Sequence, residues 1–261
     1  TSQADKGQVA AAKPILYAAN DASPWMLGVY VKALLKSPTK TLPLAPSGEM
    51  RLKEVRKLTL GEGKAAVPVT VYELSGIDLS PSYVLIDKKG ELYGTLDGGL
   101  IREGAEANIP QLQKVSREVD LQAAVEAQAK LAHRFETPVR IRNVKVFDPK
   151  TMKVGGLSTV TVFKDQITSV EPEDASRPVP KGETVIDGQG GTLVPGLHDM
   201  HSHSTLQSNL FNLAAGVTAV RDQGNYNEEL LGWIDGLETG KLAGPRIVRN
   251  GFLEGRSPDS A

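Results

Sequence analysis

The segment LVPGLHDMHSH, Leu193–His203, holds three of the four histidines in the chain. Its apolar start and bounded length predict a β-strand. Successive side chains of a strand point to opposite faces, so His201 and His203 are expected to share one face with Asp199. Two imidazoles at this spacing can bind one divalent metal ion, and neutral imidazole suits zinc. The alternative is a solvated or hydrogen-bonded histidine pair without a metal, because a bare His-X-His motif is short and occurs by chance.

Strand and helix patterns alternate from Leu193 onwards. The segments TLQSNLFNLAAG (205–216) and NEELLGWIDGLETGKLAG (227–244) predict helices, while VTAVRDQG (217–224) and PRIVRNG (245–251) predict strands. This alternation is typical of parallel βαβ units. Active sites of such folds lie at the carboxyl ends of the strands, and the histidine pair occupies that end of its strand.

The preceding residues form two further blocks. In the first, Trp25–Ser37 and Val119–Phe135 predict helices, and Lys88-Lys89-Gly90 predicts a hairpin turn. The second block is β-rich, with a predicted hairpin at Lys164-Asp165-Gln166, and is expected to form a small β-sandwich. The predicted domains are a mixed α+β extension (1–116), a linker helix (117–137), the β-sandwich (138–192) and the first β/α units of a barrel (193–261).

Composition narrows the class of protein. The 261 residues are 40% hydrophobic with a net charge of -1, which is typical of a soluble globular protein. Nothing in this charge balance favours a nucleic-acid or anionic-membrane partner. The absence of cysteine excludes disulfides and thiolate metal sites. No apolar run approaches the roughly 20 residues of a membrane-spanning helix. Because the sequence begins with Thr1, we expect it to be a fragment or a processed product.

The segments LVPGLHDMHSH, NLAAGVTAVRDQGN and LAGPRIVRNGFLEG together closely resemble the metal-dependent amidohydrolase superfamily, nearest to its imidazolonepropionase-like and prolidase-like branch. The β-rich block from Val139 resembles the β-sandwich that precedes the barrel in that family. It departs from the family at Lys164-Asp165-Gln166, where Asp-Gly is usual. The segment VTVYELSGIDLSPSYVLIDKKGELYG is similar to an N-terminal extension of some exported members.

This resemblance implies a fold and a site. The fold would be α/β with a β-rich N-terminal part, in which a small β-sandwich precedes the start of a (β/α)8 TIM barrel that is incomplete in this chain. His201 and His203 would be the first-strand ligands of one or two divalent ions, with zinc expected. The other ligands of the family lie on later strands: a carboxylated lysine or a glutamate, two histidines and an aspartate. The extension favours a periplasmic or secreted location.

Residues near the pair receive structural roles. Asp199 is expected to orient the histidines from outside the ligand set. Arg221 and Asp222 end the second strand, where an ion pair between them or with the loop is expected. His198 is expected to pack or to form hydrogen bonds on the opposite face, and His133 to be solvated. Two weaker sets complete the candidates: Gly188, Gly190 and Gly191 as a tight turn, and Arg249, Asn250 and Glu254 as positions where substrate could be met.

The implied reaction is hydrolysis of an amide, a peptide-like bond or a cyclic C–N bond by metal-activated water. Its substrate would be a small-molecule or dipeptide-like amide, and a homo-oligomer is left open. No catalytic residue is assigned within the chain, so the 261 residues alone are expected to be inactive. Two alternatives stand beside this hypothesis. One is a non-catalytic binding or scaffold module with a vestigial metal motif, and the other is one half of a split hydrolase.

Overall fold

The computed structural model describes residues 15–18 and 23–251. The chain divides into two compact units, Thr1–Gln122 and Ala123–Ala261, which are described separately below. Their architecture is mixed α/β and rich in sheet, as the sequence predicts. No helix among the described residues is both long and apolar enough to cross a membrane.

The first unit is built on a six-stranded sheet with the strands in chain order. The first two strands are parallel and the remaining neighbours are antiparallel. The strands are Leu16–Tyr17 (β1), Thr41–Ala45 (β2), Glu49–Leu60 (β3), Val67–Ser75 (β4), Ser82–Asp87 (β5) and Leu92–Thr95 (β6). The helices are Met26–Lys36 (α1) and Ile109–Leu131 (α2), the second of which continues into the second unit.

Each face of this sheet packs against one helix. Alternation along β5 directs Val84 and Ile86 into a cluster with α1, and the intervening Leu85 into a cluster with α2. Val84 and Leu85 are both fully buried, although they lie on opposite faces of the sheet. A strand that is covered on both sides needs apolar residues at successive positions, which is the pattern of YVLI in β5.

Two local predictions in this unit are confirmed and one boundary is wrong. The helix predicted over Trp25–Ser37 is α1, and the Lys88-Lys89-Gly90 turn joins the antiparallel strands β5 and β6. However, α2 begins at Ile109, ten residues before the predicted Val119. Pro110 lies in the first turn of α2, where the missing proline N–H costs no hydrogen bond. The predicted boundary at residue 116 therefore falls within a continuous helix.

The second unit contains a five-stranded sheet. Its strands are Val139–Asp148 (β7), Lys153–Phe163 (β8), Gln166–Pro172 (β9), Thr184–Asp187 (β10) and Thr192–Leu193 (β11). The three strands β7, β8 and β9 form an antiparallel meander, while β10 and β11 pair in parallel with β7. The predicted hairpin at Lys164 is confirmed, with Lys164 adopting a φ of 55° where glycine would be usual. The second layer of the predicted β-sandwich stays a prediction.

Ion pairs connect the strands of this sheet to the segments that follow them. Glu173 accepts hydrogen bonds from the Asn143 backbone N–H at 2.9 Å and the Thr159 hydroxyl at 2.7 Å, and it pairs with Arg142. These contacts outweigh desolvation and hold the pKa of the Glu173 carboxyl below its ordinary value. Two further ion pairs join a strand residue to a flanking segment: Arg140 of β7 pairs with Glu183, and Glu171 of β9 pairs with Arg177.

A three-stranded parallel sheet completes the second unit. It comprises the strands Leu197–Ser202 (β12), Val217–Asp222 (β13) and Arg246–Val248 (β14), joined through the helices Leu206–Ala214 (α3) and Asn227–Glu238 (α4). The predicted alternation of strand and helix is therefore confirmed. Leu230 of α4 packs against Val220 and Ile247 of the sheet. That these strands begin a TIM barrel stays a prediction.

Candidate metal centre

The two predicted ligands lie together at the carboxyl end of β12. His201 is the second-last residue of β12, and His203 directly follows the end of the strand. Both side chains are exposed. The neighbouring Ser202 and Ser204 are 8% and 2% exposed. Burial therefore alternates with the two-residue period of extended chain, and it places both imidazoles on the accessible side.

The two rings are close enough to share one small cation. Their centroids are 5.6 Å apart and the ring planes meet at 63°. A zinc ion takes histidine nitrogens at about 2.0–2.1 Å, with its ligands spread around it rather than stacked. The two accessible rings are neighbours and are not stacked in parallel.

A hydrogen bond orients the His203 ring. Its Nδ1 lies 2.9 Å from the backbone carbonyl oxygen of Gly224 in the loop after β13. Because a carbonyl oxygen can only accept, Nδ1 carries the proton, and the lone pair of the neutral ring is on Nε2. Metal-bound histidines characteristically donate their second ring N–H in this way, which fixes the tautomer and the ring orientation. The donor set therefore fits a divalent cation.

Asp199 contacts the backbone that carries the first histidine. Its Oδ1 accepts a hydrogen bond from the His201 backbone N–H at 3.0 Å. The register of β12 against β13 shifts here, since Asp199 pairs with Val220 while Ser202 pairs with Asp222. Three steps along β12 match two along β13, so strict alternation does not hold across this segment. That Asp199 shares a face with both histidines was expected from strict alternation, and it stays a prediction.

Asp222 lies at the centre of a hydrogen-bond cluster beside His203. Its side chain is fully buried at the end of β13. Oδ2 accepts from the Ser204 backbone N–H at 2.8 Å and from the Asn225 side-chain amide at 3.3 Å, while Oδ1 accepts from the Gly224 N–H at 3.0 Å. The preceding Arg221 is exposed. Among the described residues, the contacts of Asp222 are with neutral N–H donors of the neighbouring loops, and the expected ion pair with Arg221 is not found.

A second chain of contacts crosses the same end of the sheet. The Gln223 side-chain amide donates to the Met200 backbone carbonyl oxygen at 3.1 Å, and the Asn250 side-chain amide donates to the Gln223 side-chain Oε1 at 3.3 Å. Asn250, one of the three positions where substrate could be met, therefore takes part in hydrogen bonds that connect β12, β13 and β14 near their carboxyl ends. Glu254 lies outside the described residues.

Sequence reasoning missed Gln223, Gly224 and Asn225 as parts of the site. Gln223 and Gly224 were assigned to the end of the predicted strand 217–224, whereas β13 ends at Asp222. The signal for a turn was the run QGN, because these residue types favour turns and supply side-chain amides. What the run could not reveal is its partner segment. Gly224 meets His203 across 21 residues, a contact that depends on the parallel pairing of β12 and β13.

The remaining candidates lie elsewhere. His198 is exposed on β12, and His133 is exposed and stacks on Phe135 with ring centroids 6.5 Å apart. Gly188 is confirmed in a tight turn, closed by a hydrogen bond from the Gly191 N–H to the Gly188 carbonyl oxygen at 2.8 Å. Residues 15–18 and 23–251 contain no group of three or more histidine, aspartate or glutamate side chains arranged to hold a metal ion.

Solved structures provide the comparison with known proteins. A prolidase-like protein from Bifidobacterium longum is 23% identical with a TM-score of 0.42, and the match covers 48% of this chain and 33% of that one. A Xaa-Pro dipeptidase with bound methionine is 23% identical with a TM-score of 0.39, covering 48% and 38% of the two chains. Molinate hydrolase is 22% identical with a TM-score of 0.41, covering 47% and 32%.

The chain is similar to prolidase-like and amidohydrolase structures. This similarity extends over about half of the chain, and it spans only about a third of the length of those proteins. No protein-family model matches the sequence, and no curated protein matches it.

Proposed function

We propose that this chain is part of a metal-dependent amidohydrolase that hydrolyses an amide, a peptide-like bond or a cyclic C–N bond. The proposal rests on the orientation of the His203 ring. Its Nδ1 is hydrogen bonded to the Gly224 carbonyl oxygen, and its centroid lies 5.6 Å from that of the His201 ring. A metal ligand needs a fixed tautomer, and this bond supplies one. A hydrogen-bonded pair without a metal could make the same bond, and zinc titration separates the two.

The chain's own residues would hold one divalent ion, with zinc favoured by imidazole ligands. When bound, such an ion supplies a water of lowered pKa and polarises the carbonyl of the scissile bond. His203 would offer Nε2 and His201 one ring nitrogen. Asp199, through the His201 backbone, and Gly224, through the His203 ring, would keep these ligands in place.

Two imidazoles alone do not complete such a centre. The resemblance to amidohydrolases implies further ligands and a general base on later barrel strands, after a β-sandwich that precedes the barrel. We therefore propose that the 261 residues bind zinc weakly and do not hydrolyse amides by themselves. A periplasmic or secreted location is part of the same proposal and rests on the resemblance of the N-terminal extension.

Zinc binding tests the ligand assignment directly. We expect isothermal titration of the chain to detect one zinc site, and His201→Asn and His203→Asn each to weaken it at least about tenfold. His133→Asn is the matched control, because His133 is also an exposed histidine but has no second histidine beside it. Equal zinc affinity in all four proteins would reject His201 and His203 as ligands.

Hydrolysis is tested with the longest reading frame that contains these residues. That protein would be assayed with dipeptides, N-acyl amino acids and cyclic amides, with zinc and after chelation. Zinc-dependent turnover that His201→Asn abolishes supports the proposal. Turnover that persists without metal, or in the His201→Asn variant, contradicts it.

A further inference from the structure

We infer that Asp222 is the positioning residue for His203, and that it holds both the backbone bearing the imidazole and the carbonyl that orients it. The inference deepens the proposed function, since it concerns the same candidate ligand. Asp222 itself lies behind the site, fully buried, and contacts the ring only through other residues.

The first step is the backbone next to the histidine. Asp222 Oδ2 accepts from the Ser204 N–H at 2.8 Å, and the Asn225 amide donates both to the Ser204 carbonyl oxygen at 2.7 Å and to Asp222 at 3.3 Å. On the other side of His203, the Ser202 carbonyl oxygen accepts from the Gln223 N–H at 2.8 Å. The backbone on both sides of His203 is therefore held by the segment that starts at Asp222.

The second step is the acceptor for the ring. Asp222 Oδ1 accepts from the Gly224 N–H at 3.0 Å, and the carbonyl oxygen of the same Gly224 accepts from His203 Nδ1 at 2.9 Å. One carboxylate thus fixes both the segment that presents the imidazole and the residue that selects its tautomer. A hydrophobic residue could fill the same buried position, but it could not accept hydrogen bonds from the Ser204 and Gly224 N–H groups.

The chemistry of the carboxylate is essential to this role. An ionised aspartate only accepts hydrogen bonds, and both oxygens of Asp222 are used in this way. In Asp222→Asn one oxygen becomes an NH2 group, which must face an N–H donor of Ser204 or Gly224. At least one of the two bonds is lost with almost no change in side-chain volume.

The test uses the whole chain and follows the His203 ring nitrogens by 15N NMR at about pH 8, well above the ordinary histidine pKa of about 6.5. We expect the wild type to show the Nδ1–H tautomer, and Asp222→Asn to lose it. We also expect zinc affinity, measured by titration of the same spectra, to fall about 10- to 100-fold. Thr205→Ala is the matched control, because it disrupts the nearby start of α3 without touching Asp222 or His203.

An unchanged tautomer and unchanged zinc affinity in folded Asp222→Asn would overturn the inference. If that variant does not fold, Asn225→Ala decides, because it removes the Ser204 link and one bond to Asp222. A wild type that shows the Nδ1–H tautomer but binds no zinc would contradict the proposed function and leave the positioning role standing. A wild type without the Nδ1–H tautomer would overturn the positioning role itself.

Discussion

The six-stranded sheet of the first unit and the three-stranded sheet of the second are stabilised in different ways. Helices pack on both faces of the first sheet, and most of the fully buried apolar side chains of the described residues lie there. In the second sheet, Val220 and Ile247 pack against α4, while Leu197 and Met200 of β12 stay more than half exposed. The carboxyl end of this sheet is held by Asp222 and Gln223 through hydrogen bonds.

This difference in stabilising contacts distinguishes a region that contributes folding stability from a region that could bind a ligand. Burial of apolar area is the main favourable term in folding, and it needs no special residue geometry beyond good packing. A ligand site needs accessible side chains in fixed orientations, which hydrogen bonds to buried groups can supply. The first unit is therefore stabilised mainly by its apolar core. In the second unit, hydrogen bonds fix the backbone and side chains around two accessible histidines.

The largest expected effect is in the first unit. Leu85→Ala removes a fully buried side chain from the cluster under α2, and we expect it to lower the free energy of unfolding by about 2–5 kcal/mol. Urea denaturation followed by circular dichroism measures the change. Leu79→Ala is the matched control, because Leu79 is 80% exposed in the same unit. Similar losses in both variants would mean that the apolar core of this unit is not what stabilises it.

The next effect is a pH dependence in the five-stranded sheet. Because hydrogen bonds hold the pKa of Glu173 below its ordinary 4.5, its stabilisation is complete above that pH and is lost as the pH falls through the folded-state pKa. We therefore expect Glu173→Gln to lower the Tm at neutral pH, and the gap to the wild type to narrow in acid. Trp233 fluorescence in a Trp25→Phe background monitors the second unit.

The control for this prediction is Glu171→Gln. Glu171 pairs with Arg177, but its side chain is 41% exposed, and exposed ion pairs contribute little to stability. A change in Tm for Glu171→Gln as large as that for Glu173→Gln would show that net charge, rather than the buried contacts of Glu173, determines the pH dependence.

A smaller effect is expected at the start of α3. The Thr205 hydroxyl accepts from the Ser208 N–H at 3.0 Å, and the Ser208 hydroxyl accepts from the Thr205 N–H at 2.9 Å. Thr205→Ala removes this cap and should cost about 0.5–2 kcal/mol, measured by urea titration of Trp233 fluorescence. Thr205→Ser, which keeps the hydroxyl, should lose much less. Equal losses would indicate that the methyl group, and not the cap, matters.

The smallest effect is expected on the accessible part of β12. Met200→Ala changes a side chain that is 53% exposed, and we expect the free energy of unfolding to change by about 0.5 kcal/mol or less. Leu230→Ala, at a side chain 1% exposed in the same unit, provides the contrast and should cost several times more. A large loss for Met200→Ala would show that this face of β12 is packed, which contradicts the comparison.

Much of the fold could be predicted from the sequence where local signals are strong. Gly216 follows α3 with a φ of 79°, and the patterns on either side of it predict α3 and β13 to within two residues. The strand predicted from Leu193 begins only at Leu197, because Leu193 belongs to β11 and pairs with β7 in the five-stranded sheet. The start of α2 was missed because its first turns mix apolar and polar residues without a clear cap. The spacing of His201 and His203 predicted that they share one face, and in the structure both side chains are exposed. Their hydrogen bonds to distant segments depend on strand register, which no local pattern contains.

The most direct test of the central claim is a zinc-edge anomalous map from crystals of the chain grown with zinc. We expect a peak about 2.0–2.1 Å from His203 Nε2 and from a ring nitrogen of His201, with His203 Nδ1 still bonded to the Gly224 carbonyl oxygen. A peak on His203 Nδ1, or peaks only at other residues, would contradict the assignment of these two histidines as the metal ligands.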